Sequence, residues 1–502
     1  MKDLHSIPKP AVLHPQEGVF QCSGLPEISG DGCFHQVIEV VRDQLAHDVP
    51  AASPGSGSEK RIICTKALDM EEEAYHLQIR PEGISLTGAS ERGIYHGLQT
   101  LRQWILSAYK DRGLSLPCVA IEDYPRFPWR GFMLDTSRYF YTVPFIKKLI
   151  DALSLHHLNV FHWHLTDDQG WRLPVDAYPL LTEIGSKRQE HRFKGRYTGG
   201  FYTEGDIRDV VAYAARRQVE VVPEVDLPGH ASAILAAYPG LGCTGGPYRV
   251  EDRFGIFEDV LCAGNDGIFE LSSAVFDTLA TLFPSPYVHI GGDEVWFNRW
   301  EACPKCQRRV QEIGLSSPRD LQSWISMRLV RMLTERGKIA IGWDEVLEDT
   351  EQCRLPKELV VMSWRGTEGG KAASKRGHKV IMTPNTQGCY LDYRHVDDPE
   401  EPGQLFLTSS VYDAYSMNPV QGIHSEQAAA IMGGQGNLWS ELIYAGKFAE
   451  YMIFPRICAL AEALWTPLSL KDFDDFSRRL QVHQKRLDML GIVQYRGSLG
   501  GV

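Results

Sequence analysis

Adjacent carboxylates behind a pair of glycines are the first feature of this sequence that could do chemistry. In His289-Ile-Gly-Gly-Asp-Glu294 a short apolar run ends on Asp293 and Glu294. Inside a strand, neighbouring side chains point to opposite faces, but just past Gly291-Gly292 the backbone is freer and both carboxylates can enter one pocket. Two carboxylates held close resist ionising together, so one keeps a proton near neutral pH, the condition a general acid requires. Protonation of a leaving group is the implied task. The plain alternative is a pair of solvated acids at a helix start, where the dipole favours negative charge.

Other polar and aromatic residues stand at comparable places. Trp343, Trp364 and Trp439 each follow or end a short apolar run, and their flat faces suit the apolar face of a sugar ring, although any one of them could instead fill a core. Arg138, Asp167, Asp392 and Glu441 supply charged donors and acceptors for hydroxyl groups, with Tyr390 as a neutral one. Taken singly, the charged residues could also be surface ion pairs.

The elements that must position these residues are legible from residue 130 onward. Apolar runs that read as strands fall at 131–134, 160–165, 219–225, 287–290, 339–343, 360–364, 380–383 and 431–435. Segments of helical periodicity, such as 143–155 and 205–218, separate them. Eight strands alternating with helices predict an α/β fold, a (β/α)8 TIM barrel, whose site is built from the carboxyl ends of its strands. The endings fit that rule: Asp135-Thr-Ser-Arg138, Thr166-Asp-Asp168, Asp226-Leu-Pro-Gly-His230, Trp343-Asp-Glu345 and Asn437-Leu-Trp-Ser-Glu441 are polar and aromatic. Before the barrel, 74–80 and 83–87 alternate as a hairpin should and 93–105 has helical spacing, giving a small N-terminal α+β domain. The expected division is 1–125, a catalytic barrel at 126–470, and a helical segment at 471–502. The Gly/Pro/Ser stretch 51–58 reads as a linker or surface loop. The helix at 473–490 either caps the barrel or adds to a homodimer surface.

Bulk properties narrow the partners. A formal net charge of −12, with no basic run to reverse it, would repel phosphate backbones and anionic lipid, so nucleic acid is not an expected partner. No segment has the roughly 20 apolar residues of a membrane span, and the first 16 residues lack a signal-like apolar run. Eleven cysteines, an odd number, suit reduced thiols and a cytoplasmic location. Cys303-Pro-Lys-Cys306 has metal-ligand spacing, but the sequence has no second such pair; plain loop thiols and no metal are expected there.

Arg130-Gly-Phe-Met-Leu-Asp-Thr-Ser-Arg138, Asn159-Val-Phe-His-Trp-His-Leu-Thr-Asp-Asp168, Pro223-Glu-Val-Asp-Leu-Pro-Gly-His230 and His289-Ile-Gly-Gly-Asp-Glu294 occur in one order. With Gly342-Trp-Asp-Glu345, Tyr390-Leu-Asp392 and Gly436-Asn-Leu-Trp-Ser-Glu441, they make the chain resemble the family 20 glycoside hydrolases, the β-N-acetylhexosaminidases. The resemblance implies removal of terminal β-linked N-acetylglucosamine or N-acetylgalactosamine, with Glu294 as the acid and Asp293 orienting the substrate's acetamido group. That group would be the nucleophile, giving an oxazolinium intermediate. It further implies that Tyr390 bonds the acetamido oxygen, that Arg138, Asp392 and Glu441 grip hydroxyls, and that Trp343, Trp364 and Trp439 wall the sugar. Asp167 and His230 would support the carboxylates, no cofactor is implied, and the loops 242–259 and 397–425 would meet whatever lies beyond the first sugar.

Three other readings stay open on the sequence. His162 and His164 could begin a metal-dependent hydrolase site. The barrel could bind carbohydrate without turning it over. Glu345 or Glu224 could serve as the nucleophile of a conventional retaining glycosidase.

Overall fold

The structure, a computed structural model, describes residues 5–49, 60–110, 113–190, 196–348 and 353–501; the expected linker at 51–58 lies outside them. The eight apolar runs become the eight barrel strands: β1 (Trp129–Asp135), β2 (Val160–His164), β3 (Glu220–Glu224), β4 (Tyr287–His289), β5 (Ile339–Trp343), β6 (Val360–Ser363), β7 (Val380–Met382) and β8 (Ile431–Leu438). They close as a parallel barrel in the order β3-β4-β5-β6-β7-β8-β1-β2. Parallel strands covered by helices are buried on both faces, which is why their sequences run apolar without alternation. Trp129, Val222, Ile341, Met362 and Ile381 fill the interior, so the barrel is a packed core rather than a pore.

Among the outer helices, α1 (Val143–Leu155) keeps the bounds its periodicity predicted. The next long one, α2 (Glu204–Ala215), is shorter than the 205–218 expected. Its start is fixed by reciprocal hydrogen bonds between Thr203 and Asp206. Its end comes early because Gln218 adopts φ 58°, a left-handed conformation that a helix of L-residues does not carry.

The N-terminal domain is a sheet in which Tyr75–Arg80 and Gly83–Gly88 form the expected antiparallel hairpin. Two long strands the sequence did not announce, Val12–Ser23 and Gly113–Asp123, pair antiparallel beside it. The helices His35–Asp48 and Glu91–Ala108 pack on this sheet, and the latter joins the domain to the barrel. Arg102 is 1% exposed and reaches Asp48 at 2.7 Å and Asp151 of α1 at 3.0 Å, while Arg217 holds the other Asp151 oxygen at 2.8 Å. Three elements from two domains thus share one buried charge cluster.

The C-terminal helix, Phe473–Met489, turns Phe476, Leu480 and Leu487 into the core. Its Arg479 makes a two-pronged bond to Glu462 of the last barrel helix at 2.7 and 2.6 Å. Arg486 donates to Ser107 of the N-terminal domain at 2.7 Å. The helix thus ties the barrel to the N-terminal domain. Among the described residues, no helix is long and apolar enough to cross a membrane.

Candidate active site

A pocket of about 360 Å³ opens at the carboxyl ends of the strands. Its lining includes Arg138, His230, Asp293, Glu294, Trp343, Trp364, Tyr390, Asp392, Trp439 and Glu441. Asp167, the remaining residue singled out from the sequence, lies behind that surface against Arg138 and His230.

The turn after β4 presents the paired carboxylates. Gly291 and Gly292 take φ of 69° and 95°, and Glu294 itself takes 51°, so the chain curls rather than continuing the strand. Asp226, at the end of β3, accepts the Gly292 N–H at 3.0 Å and braces the turn. A Cβ on Gly291 would lie 1.7 Å from that same Asp226 oxygen, so glycine is obligatory there. Burial, with Asp226 beside it, pushes the Asp293 carboxyl well above its usual range. Burial likewise pushes Asp226 up to about 7. The two acids behave as a pair that shares a proton. Asp226 was not singled out from the sequence; its signal was its place at a strand end.

A chain of charge runs behind these acids. His230, held at φ 48°, points Nδ1 at Asp167 (3.1 Å) and Asp168 (3.2 Å), with Nε2 3.8 Å from Asp293 and 3.6 Å from Glu294. Burial alone would depress the imidazole, but Asp167, with Asp168 and Asp293, outweighs it and raises its pKa well above the ordinary value. Burial opposes ionisation of Asp167, yet Arg138 and His230 hold its carboxyl far below the usual range. Asp167 also takes His164 at 3.0 Å. His164, His162 and His289 in turn surround Glu224, whose remaining bond comes from the indole of Trp343 at 2.9 Å. These three histidines and Glu224 are fully buried under Trp343. His162 and His164, weighed from the sequence as metal ligands, lie in the barrel interior within hydrogen-bond distance of Glu224.

The walls and floor follow from β1 and β5 to β8. Trp343 and Trp439 pack with ring centres 5.9 Å apart, and the Arg138 guanidinium lies 5.0 Å over Trp439. Arg138 is held by Asp135 at 3.1 Å, Gln169 at 2.9 Å and Asp167 at 2.8 Å, so its free edge is aimed rather than mobile. Glu345 does not line the pocket; it accepts the Trp364 indole N–H at 2.9 Å and locks that wall. Burial, with the charges of Asp293 and Asp344, pushes Glu345 up to about 9. Tyr390 is tied to Asn437 of β8 by a bridge and sits beside Trp364. On the floor, Asp392 Oδ1 and Glu441 Oε2 are buried with no hydrogen bond from the described residues. Burial raises the carboxyls of Asp392 and Glu441. Asp293, Asp392 and Glu441 all line the pocket, where a ligand carrying O–H or N–H groups can bond their carboxyls.

Sequence reasoning missed the outer rim. Phe254 and Ile256 come from the loop 242–259, and Gln404 and Leu407 from 397–425, the two loops expected beyond the first sugar. They follow no periodicity, so no individual residue stood out. Tyr393 joins them from just past Asp392.

A parallel eight-stranded barrel with acids, an arginine and tryptophans at its carboxyl-terminal rim is the architecture of the barrel glycoside hydrolases. The chain belongs to glycosyl hydrolase family 20: residues 127–468 match the family's catalytic domain and residues 4–124 its domain 2. It is 42% identical over 454 residues to the β-hexosaminidase of Porphyromonas gingivalis, covering 89% of this chain and 58% of that protein. The β-hexosaminidase of Akkermansia muciniphila is 32% identical over 83% of this chain and 84% of that one. The exo-β-N-acetylglucosaminidase of Vibrio harveyi, solved with N-acetylglucosamine, has a TM-score of 0.89 and 31% identity, covering 98% of this chain and 78% of that one.

Proposed function

We propose that the protein is a retaining exo-β-N-acetylhexosaminidase that hydrolyses terminal, non-reducing β-linked N-acetylglucosamine and N-acetylgalactosamine from oligosaccharides or glycoconjugates. The observation that carries this reading is the gathering of Asp293, Glu294, Asp392 and Glu441 with Arg138 in one pocket walled by Trp343, Trp364 and Trp439. Arg138, Asp392 and Glu441 bind the hydroxyls of one terminal sugar, and the floor they form makes the action exo. Trp343, Trp364 and Trp439 enclose the ring and the acetamido methyl.

The acetamido oxygen of the substrate, hydrogen-bonded by the Tyr390 hydroxyl, attacks the anomeric carbon while Glu294 gives its proton to the leaving oxygen. Asp293 bonds the amide N–H and stabilises the positive charge that develops on the oxazolinium. Glu294, now a base, takes a proton from the water that opens the intermediate, and configuration is retained. Asp167 and His230 position the acids and set their local charge. The odd count of eleven cysteines supports a reducing, cytoplasmic setting.

The test is release of p-nitrophenol from the β-N-acetylglucosaminide, the β-N-acetylgalactosaminide and the plain β-glucoside, by wild type and Glu294→Gln. Turnover confined to the N-acetylated pair and reduced roughly a hundredfold or more in the mutant is expected. Equal turnover of the plain glucoside would sink the acetamido-assisted mechanism.

A further inference from the structure

Four cysteines from three separate chain segments meet on the flank of the barrel. Cys262, Cys303 and Cys306 are buried and Cys243 is half-buried. Their sulfurs all lie within 4.8 Å of one another. Cys243 to Cys306 is 3.8 Å, Cys262 to Cys303 is 3.8 Å and Cys262 to Cys306 is 3.6 Å. A zinc ion with four Zn–S bonds of about 2.3 Å has sulfurs about 3.8 Å apart along each tetrahedral edge, whereas a disulfide needs about 2.05 Å. We propose that Cys243, Cys262, Cys303 and Cys306 form a structural zinc site that pins the loop 244–261 against the helix Pro304–Ile313.

The backbone around the cluster is arranged for thiolates. Cys303 is the N-cap of the helix Pro304–Ile313, with Pro304 in its first turn, so the positive end of the helix faces the sulfurs. Gly264 packs so tightly on the backbone of Lys305 that a Cβ there would come within 2.3 Å. The Gly264 N–H also donates to the Cys262 sulfur. Each Zn–S bond forms as that thiol gives its proton to water, and the half-buried Cys243 side offers the entry path.

The site also bears on the pocket. Cys243 and Cys262 bracket the loop that carries Phe254 and Ile256 to the pocket rim, and a bridge between Gly242 and Leu261 closes the loop's base. The helix they are tied to follows the segment that presents Asp293 and Glu294. A metal there fixes the rim relative to the acids. The pair at Cys303 and Cys306, expected to be plain loop thiols, finds its other two ligands in lone cysteines far along the chain.

The test uses the full chain purified in reductant, incubated with zinc chloride, desalted and assayed for metal. One zinc per chain is expected, with these four cysteines protected from alkylation until the metal is stripped, and with the visible bands of a tetrahedral thiolate site when cobalt(II) replaces zinc. Cys303→Ser should lose the metal, and Cys243→Ser, at the half-buried ligand, gives the same readout should the first variant fail to fold. A chain that stays metal-free, with these thiols alkylating freely or linked as disulfides by mass, overturns the site. Metal content does not depend on what the enzyme cleaves, so this result stands apart from the proposed function. The rim effect does rest on that function: Cys243→Ser should raise KM for a β-linked N-acetylglucosamine disaccharide about tenfold, with kcat on the aryl glycoside within about twofold. An unchanged KM would mean that the loop is held without the metal.

Discussion

Nε2 of His230 stands 3.6 Å from Oε2 of Glu294, while its Nδ1 is 3.1 Å from Asp167. The imidazolium therefore sits between a buried ion pair and the reacting acids. Its charge also opposes the upward shift of the Asp226–Asp293 pair. In His230→Gln that opposition is gone, the pair holds its proton to higher pH, and the acid limb of the kcat/KM profile should move up by about one pH unit. A pH-independent loss of activity would instead assign His230 a purely structural part.

Asp293→Asn keeps the shape of the turn but removes the carboxyl that shares a proton with Asp226 and would accept the substrate's amide N–H. Turnover of the N-acetylated aryl glycosides should fall roughly a hundredfold to a thousandfold with little change in KM. Steady-state kinetics with both epimers check this.

Gly291→Ala places a methyl group 1.7 Å from the Asp226 oxygen at a φ of 69°. The turn must open, so activity should be lost even though neither acid has been altered. Near-native far-ultraviolet circular dichroism with kcat down by about a hundredfold or more is the expected pair of results.

Phe254 is 63% exposed at the pocket rim. Its truncation in Phe254→Ala should raise KM for a disaccharide about tenfold and leave the aryl glycoside nearly unaffected. Equal effects on both substrates would place Phe254 in the first-sugar site.

Burial opposes ionisation of Asp151, but Arg102 and Arg217 hold its pKa down, at about 2 against an ordinary 3.8. A depressed carboxyl stabilises the fold above its ordinary pKa and loses that contribution as pH falls through the folded value. About 2 kcal/mol should therefore vanish between roughly pH 4 and pH 2. Arg102→Met, which strands buried carboxylates, should cost about 3 kcal/mol at neutral pH in urea unfolding.

Much of this molecule could be read from its sequence because a parallel barrel writes itself locally. Each strand from β1 to β8 is a short apolar run, and most of the site residues, Arg138, Asp167, Asp293, Glu294 and Trp439 among them, sit at or within a few residues of the end of such a run, whereas Tyr390 and Asp392 lie farther beyond β7. What stayed hidden depends on contacts distant along the chain. Val12–Ser23 contains Pro15 and Gly18, and its partner strand begins at Gly113, so neither composition nor a nearby turn announces the pairing. Cys243 and Cys262 carry no local motif and meet Cys303 and Cys306 only through the fold. Asp226 looked like any other strand-end acid until the Gly291-Gly292 turn closed over it.

The charge cluster of Arg102, Asp48, Asp151 and Arg217 bears on how such chains can be recombined. A barrel cut away at residue 127, or grafted behind a foreign N-terminal module, keeps Asp151 and Arg217 but leaves behind Arg102. The chimera would carry a carboxylate missing half of its counter-charge at the very seam where the modules must adhere. Compatible exchange partners are those that bring a cation to that place, so a working exchange would move α1 and the helix Glu91–Ala108 together even though they belong to different domains.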